Sequence, residues 1–103
     1  MFEVHYSEVA LADLDEIWEY ITFELMNPDA AIDTVNGIMD AIDRLPEYPL
    51  LGTPLNVLLD IESDYRFVIY KNYLAFYHVE ANAVNIDRVL YEGQDCIKAL
   101  SLK

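Results

Sequence analysis

Hydrophobic and polar positions follow two different periods along this chain, and the periods divide it into a helical half and a strand half. Between residues 7 and 45, apolar side chains recur every three or four positions, the spacing of one face of an α-helix. Between residues 65 and 91, aromatic and β-branched side chains dominate, and these residue types fit extended strands. The pattern predicts a protein of the α+β class.

Two amphipathic helices are predicted in the first half. Ser7 has the side chain of a helix N-cap, and the first helix runs from there to Leu25. Asn27 and Pro28 end that helix and begin the next, because Asn is a good N-cap and Pro is tolerated at the first helical position. The second helix continues to Leu45. Since the connection is so short, we expect an antiparallel helical hairpin that buries its apolar face against a sheet.

Three consecutive strands joined by tight turns are predicted in the second half, at residues 65–70, 73–79 and 84–91. Successive strands with such short connections pair in the antiparallel direction. In the first turn, Asn72 is the predicted left-handed residue, because Asn tolerates a positive φ.

A short opening strand at residues 2–6 and a short closing helix at 96–100, capped by Asp95, complete the prediction. The stretch 50–64 has no clean hydrophobic period, so the sequence does not decide there between a strand and a helical turn. The order β-α-α-β-β-β-α describes one domain over residues 1–103, an antiparallel sheet packed on an N-terminal helical hairpin. The predicted core comprises Leu14, Ile17, Ile21, Val35, Ile38, Ile42, Phe67, Ile69, Phe76 and Val84.

The charge of the chain is strongly negative and unevenly distributed. Nineteen acidic and six basic residues give a net charge of −13, and residues 1–47 hold twelve of the acids but one base, Arg44. Such a surface repels phosphate backbones and argues against an extensive nucleic-acid interface. The single cysteine, Cys96, excludes an internal disulfide and fits a reducing cytosol. With no membrane span or secretory signal in the pattern, a cytoplasmic protein is expected.

Taken in order, the residues from Tyr6 to Leu100 resemble the RelE/ParE superfamily of type II toxin–antitoxin toxins. Four segments carry the resemblance: the first helix, the second helix with its following loop, the arginine-bearing strand with its aromatic neighbour, and the closing strand and turn. The matching positions are Ser7, Ala10, Asp13, Leu14, Ile17, Tyr20 and Ile21; Pro28, Ala31, Val35, Ile38, Ile42, Leu45, Pro49 and Gly52; Tyr65, Arg66, Tyr73, Phe76 and Tyr77; and Ile86, Arg88, Val89, Leu90, Tyr91, Gly93 and Asp95.

The resemblance implies a small cytosolic toxin that is held inactive by an antitoxin encoded beside it. RelE-like members cut messenger RNA on the ribosome, whereas ParE-like members poison DNA gyrase and are not nucleases. Two long helices, followed by a loop with few basic residues, look more like the ParE-like branch. We therefore expect a toxin that binds a cognate antitoxin and a target such as DNA gyrase. No glycine-rich phosphate loop or metal-ligand cluster is present, so no cofactor or metal is predicted.

A RelE-like messenger-RNA endoribonuclease is the alternative from the enzyme class. In that case the catalytic residues would be Arg66, Arg88 and Tyr91, which fall at family positions that often serve RNA cleavage. Arginine suits this role because its planar guanidinium binds two phosphate oxygens at once. The resemblance, however, places a His where Tyr91 stands and an Arg where Gln94 stands, and residues 52–64 contain no base. These departures favour a protein that does not cut RNA.

The structural interpretation of the two strand arginines is the simpler one. An arginine inside an apolar strand is usually paired with a carboxylate, and the candidates for Arg66 and Arg88 are Asp64, Asp87 and Asp95. His78, in the middle of a strand, is likewise interpreted as a histidine satisfied within the core.

The sheet is also predicted to carry more apolar surface than one helical hairpin can cover, and such surfaces mark partner sites. An antitoxin segment of net positive charge is expected there, as an amphipathic helix or an added strand. Two alternatives stay open: a binding module without toxicity that retains only its antitoxin, and self-association into a homo-oligomer through the same surface. The predicted partner-binding residues are Val68, Tyr70, Tyr73, Leu74, Tyr77, Val89, Leu90 and Tyr91.

Overall fold

A computed structural model describes residues 1–100 and shows one five-stranded sheet with a helical hairpin on one face, which confirms the α+β class. The elements are β1 (Glu3–Tyr6), α1 (Glu8–Glu19), a π-helical turn (Tyr20–Glu24), α2 (Pro28–Ile42), β2 (Thr53–Pro54), α3 (Leu55–Leu58), β3 (Arg66–Tyr70), β4 (Tyr73–Glu80), β5 (Ala83–Tyr91) and α4 (Cys96–Ala99).

The strands lie side by side in the order β1-β5-β4-β3-β2. The predicted antiparallel arrangement of the three long strands is confirmed: Phe67 of β3 lies opposite Phe76 of β4, and Leu74 of β4 lies opposite Leu90 of β5. At one edge, β1 pairs with β5 in the parallel direction, with Val4 beside Val84. The other edge is formed by β2, which α3 follows directly. Both lie in the stretch 50–64, for which the sequence did not decide between a strand and a helical turn.

Side-chain caps fix the starts of three helices, as predicted. Ser7, Asn27 and Asp95 each accept a hydrogen bond from the backbone N–H three residues later, at 2.9, 3.1 and 3.1 Å. Such caps satisfy N–H groups that have no partner within the helix. The far end of α2 differs from the prediction, because the helix stops at Ile42, although Leu45 is still fully buried.

The first helix does not continue as a regular α-helix to Leu25. After Glu19 it widens into the π-helical turn, and Met26 then adopts a φ of 53° that reverses the chain into α2. A π-helical turn carries more residues per turn than an α-helix, so it shifts the side chains that follow it. Ile21 is still buried, but Leu25, which the helical spacing placed on the apolar face of the first helix, is 55% exposed.

Two apolar clusters lie on opposite faces of the sheet. The larger one joins the hairpin to the sheet and includes Leu14, Ile17, Ile21, Ile38, Ile42, Tyr77, Val84 and Val89. The smaller one, on the other face, comprises Leu55, Phe67, Phe76, Leu90 and Leu100. The predicted core is therefore largely confirmed, with Val35 half-buried.

Ile69 was wrongly predicted to lie in the core, since its side chain is 59% exposed. It points to the same face of β3 as Phe67, two positions away in a strand. The neighbouring strand β2 is two residues long and pairs with Arg66 and Phe67 alone. No described element covers the sheet at Ile69.

The prediction of which residue is left-handed in the first hairpin turn was also wrong. Lys71, not Asn72, has the positive φ, 53°. The Lys71 amine lies 5.4 Å from the centroid of the Tyr70 ring, a favourable cation–π arrangement that offsets part of the cost of a left-handed lysine. Among residues 1–100, no helix is long and apolar enough to cross a membrane.

Candidate functional site

Arg88, one of the three predicted catalytic residues, is bound to a buried carboxylate. Its Nε and Nη2 atoms donate to the two oxygens of Asp13 at 2.8 and 2.9 Å. The same carboxylate accepts the backbone N–H of Val89 at 2.9 Å, and Asp13 is only 8% exposed. These hydrogen bonds raise the pKa of the Arg88 guanidinium above its ordinary value. Arg88 is therefore a structural ion-pair residue in this conformation.

Arg88 pairs with Asp13 because β1 covers only part of the outer edge of β5. β1 stops at Tyr6, so the outer edge of β5 has no neighbouring strand beyond Ile86. The start of α1 takes over that edge: Ser7 donates its backbone N–H to the Ile86 carbonyl and its hydroxyl to the Asp87 carbonyl, both at 2.9 Å. Asp13, further along the helix, satisfies the next N–H. The predicted carboxylate partners of Arg88, namely Asp64, Asp87 and Asp95, were therefore wrong, because the true partner lies 75 positions away in the sequence.

Arg66 binds backbone carbonyls and holds a loop in place. Its Nη1 atom donates to the Gly52 carbonyl at 2.9 Å and to the Leu50 carbonyl at 3.2 Å. Tyr77 holds the same loop, because its hydroxyl donates to the Pro49 carbonyl at 2.8 Å and accepts the Gly52 N–H at 2.9 Å. Burial raises the pKa of Tyr77. The predicted pairing of Arg66 with a carboxylate was wrong, since this loop supplies its partners.

Tyr91, the third predicted catalytic residue, lies at the end of β5 and is 49% exposed. Its ring meets the edge of Tyr73 at a centroid distance of 5.6 Å. The structure brings Tyr91 and Arg88 to one cavity but leaves Arg66 two strands away on β3, with β4 between them. The three residues therefore do not surround one common point.

The cavity shared by Arg88 and Tyr91 is an open cleft of about 680 Å³ between the helical hairpin and the ends of β4 and β5. We call it the tyrosine cleft, because three tyrosines line it. Burial, together with the neighbouring phenols of Tyr91 and Tyr20, raises the pKa of Tyr73. The cleft is lined by Glu16, Ile17, Tyr20, Ile21, Tyr73, Val89 and Tyr91, among others. Sequence reasoning did not identify Tyr20 as a site residue, although it lies one helical turn after Glu16, which lines the same cleft.

Six of the eight predicted partner-binding side chains are buried or pack against the hairpin cluster. Tyr77, Val89 and Leu90 are buried, with at most 2% exposure, and cannot contact a partner in this conformation, which corrects the expectation that they lie on a free surface. Three more are half-buried and pack against the hairpin cluster: Val68, Tyr70 and Tyr73.

The remaining two, Leu74 and Tyr91, line a second cavity on the opposite face of the sheet. This apolar groove, of about 380 Å³, is lined by Leu58, Phe67, Ile69, Leu74, Phe76, Leu90, Tyr91, Glu92, Gly93, Gln94 and Cys96. Leu58 and Ile69 are 56% and 59% exposed and were both missed as surface residues. The sequence prediction contained a signal that these residues are exposed, because it assigned no helix or strand to cover that face of β3.

His78 lies on the same face, beside the smaller apolar cluster. Its Nδ1 atom lies 2.5 Å from Oδ2 of Asp87, and the Tyr65 ring meets it edge-on at 5.8 Å. Burial and the Asp87 carboxylate raise the pKa of Tyr65. His78 therefore has a hydrogen-bonding partner, as predicted, but it is half-buried and not within the core. Over residues 1–100, no group of three or more His, Cys, Asp or Glu side chains is placed to hold a metal ion.

Comparisons with known proteins point to one family. Residues 4–96 match the family described as the ParE toxin of the type II toxin–antitoxin system, parDE. The fold is similar to that of a solved chain of the chromosomal ParDE TA system from P. aeruginosa, with a TM-score of 0.72 at 21% identity over 89% of this chain and 97% of that one. It is also similar to the isolated E. coli RelE toxin, with a TM-score of 0.58 at 12% identity over 98% and 95% of the two chains. No curated protein matches this chain.

Proposed function

We propose a function for this chain on the ground that it belongs to the ParE toxin family of type II toxin–antitoxin systems. It is a toxin that a cognate antitoxin neutralises, and it acts by binding a target such as DNA gyrase. The observation that carries the proposal against RNA cleavage is the state of the two strand arginines. Arg66 donates to the carbonyl oxygens of a loop through Nη1, and Arg88 donates to both oxygens of Asp13.

Cutting RNA at a 2′-hydroxyl requires a base for that proton, an acid for the leaving oxygen, and cations placed around the phosphate. In this fold, Arg88 is neutralised by Asp13. Arg66 lies two strands away and is hydrogen-bonded to a loop carbonyl. Of the two cations that line the cleft with Tyr91, Arg88 is paired with Asp13, and the Lys71 amine is directed at the Tyr70 ring. The arrangement supports a protein that binds its target and does not cut RNA.

The proposal predicts opposite results in two assays. The purified protein should inhibit DNA supercoiling by purified gyrase, and it should leave messenger RNA intact when incubated with translating ribosomes, as judged by mapping the RNA ends. The matched variants are Arg66→Ala and Arg44→Ala, since Arg44 is an exposed arginine outside the strands. Codon-specific cuts that disappear in Arg66→Ala but persist in Arg44→Ala would show that the protein is a nuclease. Unchanged supercoiling would remove gyrase as the target.

Two adjoining features support a docking surface for the antitoxin at β3. The first is the apolar groove, whose exposed rim includes Leu58 and Ile69. The second is the outer edge of β3, where β2 pairs with Arg66 and Phe67 alone and leaves the stretch 68–70 without a strand partner. An extended peptide can add a strand to such an edge while its apolar side chains enter a neighbouring pocket. We place the antitoxin segment along this edge, with apolar anchors in the groove.

The charge of the chain defines the chemistry of that partner. A domain with a net charge of −13 repels an acidic segment and attracts a basic one, and this attraction acts mainly on the rate of encounter. Complementary charge therefore supports an antitoxin segment of net positive charge.

Co-expression with the adjacent reading frame should give a complex that survives size-exclusion chromatography. Raising the salt concentration should slow association more than it speeds dissociation, because salt screens charges at the rim of an interface. Ile69→Lys should weaken the complex by roughly tenfold or more, whereas Val57→Lys, at an exposed position outside the groove, should have little effect. Equal losses in the two variants would place the antitoxin elsewhere, and association without salt dependence would contradict the charge argument.

A further inference from the structure

We infer that the tyrosine cleft receives the guanidinium group of an arginine side chain from a partner protein. The inference rests on the proposed function, since it specifies how a basic antitoxin segment engages this domain at a second point, which shares Tyr91 and Gln94 with the apolar groove on the other face of the sheet. Three features of the cleft carry it: the aromatic rings, the local charge balance and the apolar floor.

The rings of Tyr20, Tyr73 and Tyr91 line one cleft from three different elements. Tyr73 and Tyr91 meet edge to face, with ring planes at 69° and centroids 5.6 Å apart. Tyr20 projects from the π-helical turn and is 52% exposed. The face of an aromatic ring carries negative electrostatic potential, and a cation within about 6 Å of its centre is attracted.

The charged groups that line the cleft leave one acid without a partner. Four such groups are present: Asp13, Glu16, Lys71 and Arg88. Asp13 and Arg88 neutralise each other, and the Lys71 amine is directed at the Tyr70 ring, which does not line this cleft. Within the described residues, Glu16 forms no ion pair, although its carboxylate lies near enough to Arg88 to help raise the pKa of that guanidinium. The cleft therefore presents one unpaired carboxylate beside three aromatic rings.

Arginine fits this combination better than other side chains. Its planar, weakly hydrated guanidinium stacks on an aromatic ring and pairs with a carboxylate at the same time. The aliphatic stem of the side chain needs apolar surface, and Leu25, which is 55% exposed, supplies it in the lining of the cleft, next to the buried Ile17 and Ile21. An anionic side chain would meet Glu16 and the overall negative field of the chain.

Nuclear magnetic resonance with labelled tyrosine rings tests the inference without any antitoxin. N-acetyl-arginine amide is the probe, and N-acetyl-citrulline amide is its uncharged control of nearly the same shape. The arginine compound should produce saturable shifts in the resonances of Tyr20, Tyr73 and Tyr91. The ring of Tyr48, which is 62% exposed and lies outside the cleft, should not respond. Equal responses to the two compounds, or shifts that do not saturate, would overturn the inference.

Two glutamate variants on the same helix sharpen the test. Glu16→Gln should weaken binding of the arginine probe by roughly fivefold, a factor expected for one partly exposed charge contact. Glu19→Gln removes the same charge from an exposed position outside the cleft and should leave binding unchanged. If both variants weaken binding equally, the attraction is a general field effect and the cleft is not specific. The probe assay needs no antitoxin, so a negative result there would contradict the arginine site but not the proposed function. Absence of an antitoxin complex would contradict the proposed function but not binding of the arginine probe to the cleft.

Discussion

Asp13→Asn is expected to lower the free energy of unfolding by about 2–3 kcal/mol, because the change breaks a bidentate ion pair and weakens a backbone hydrogen bond together. The buried carboxylate accepts two bonds from Arg88 and one from Val89. An amide at this position has one acceptor oxygen and turns its NH2 group toward donors. The expected loss stays below that of a fully buried pair, since the Arg88 side chain is 25% exposed and retains contact with water.

Urea denaturation followed by circular dichroism measures this effect, with Asp15→Asn as the matched control. Asp15 lies on the exposed face of α1, so its substitution should change stability by no more than about 0.5 kcal/mol. The midpoint should fall for Asp13→Asn while the slope of the transition is unchanged, because the surface exposed on unfolding is the same. Equal midpoints for the two variants would show that the ion pair contributes nothing to stability.

The same ion pair affects how toxicity experiments with this protein should be interpreted. An Arg88→Ala variant leaves the Asp13 carboxylate buried without its cation, and removing one partner of such a pair destabilises a fold strongly. Loss of folded protein would by itself remove any growth effect of that variant. The amount of soluble, folded protein must be measured beside growth before Arg88 is assigned a role in chemistry.

The elements of this fold that depend on local chemistry were predictable from the sequence. Ser7, Asn27 and Asp95 cap helices because a short polar side chain bonds to the chain three residues later, and that requires no knowledge of the tertiary structure. The runs of aromatic and β-branched residues, separated by short turns, likewise predicted the three long strands. The resemblance to a toxin family then followed from the ordered positions, and the match over residues 4–96 confirms it.

The features that sequence reasoning missed depend on contacts between distant parts of the chain. The partner of Arg88 depends on where β1 stops and where α1 then crosses β5, which no local pattern records. The exposure of Ile69 depends on the length of β2, in the stretch that has no clean period. Tyr20 enters the candidate site because the end of α1 lies beside the ends of β4 and β5, which the apolar spacing of that region does not record.

Gly52→Ala is expected to destabilise the domain by about 1–3 kcal/mol, the usual cost of forcing extra volume into a packed site. A Cβ atom on residue 52 would lie 2.6 Å from the Tyr77 hydroxyl and ring, and 2.8 Å from the carbonyl oxygen of Phe67. The backbone oxygen belongs to a paired strand and cannot move freely, and the Tyr77 ring is fully buried. Urea denaturation again provides the measurement, with Leu51→Ala as the control, since Leu51 is 52% exposed in the same loop.

A second substitution separates overpacking from simple disruption of the loop. Tyr77→Phe alone should also destabilise the domain, because it removes the hydroxyl that joins Pro49 to Gly52. In the double variant Gly52→Ala/Tyr77→Phe the new methyl group no longer meets a hydroxyl, so the combined loss should be smaller than the sum of the two single losses. Strict additivity would mean that the ring of residue 77 and the Phe67 carbonyl, which both remain in the double variant, oppose the methyl group. A Gly52→Ala protein as stable as Leu51→Ala would show that the loop moves aside, and that Arg66 and Tyr77 hold it only weakly.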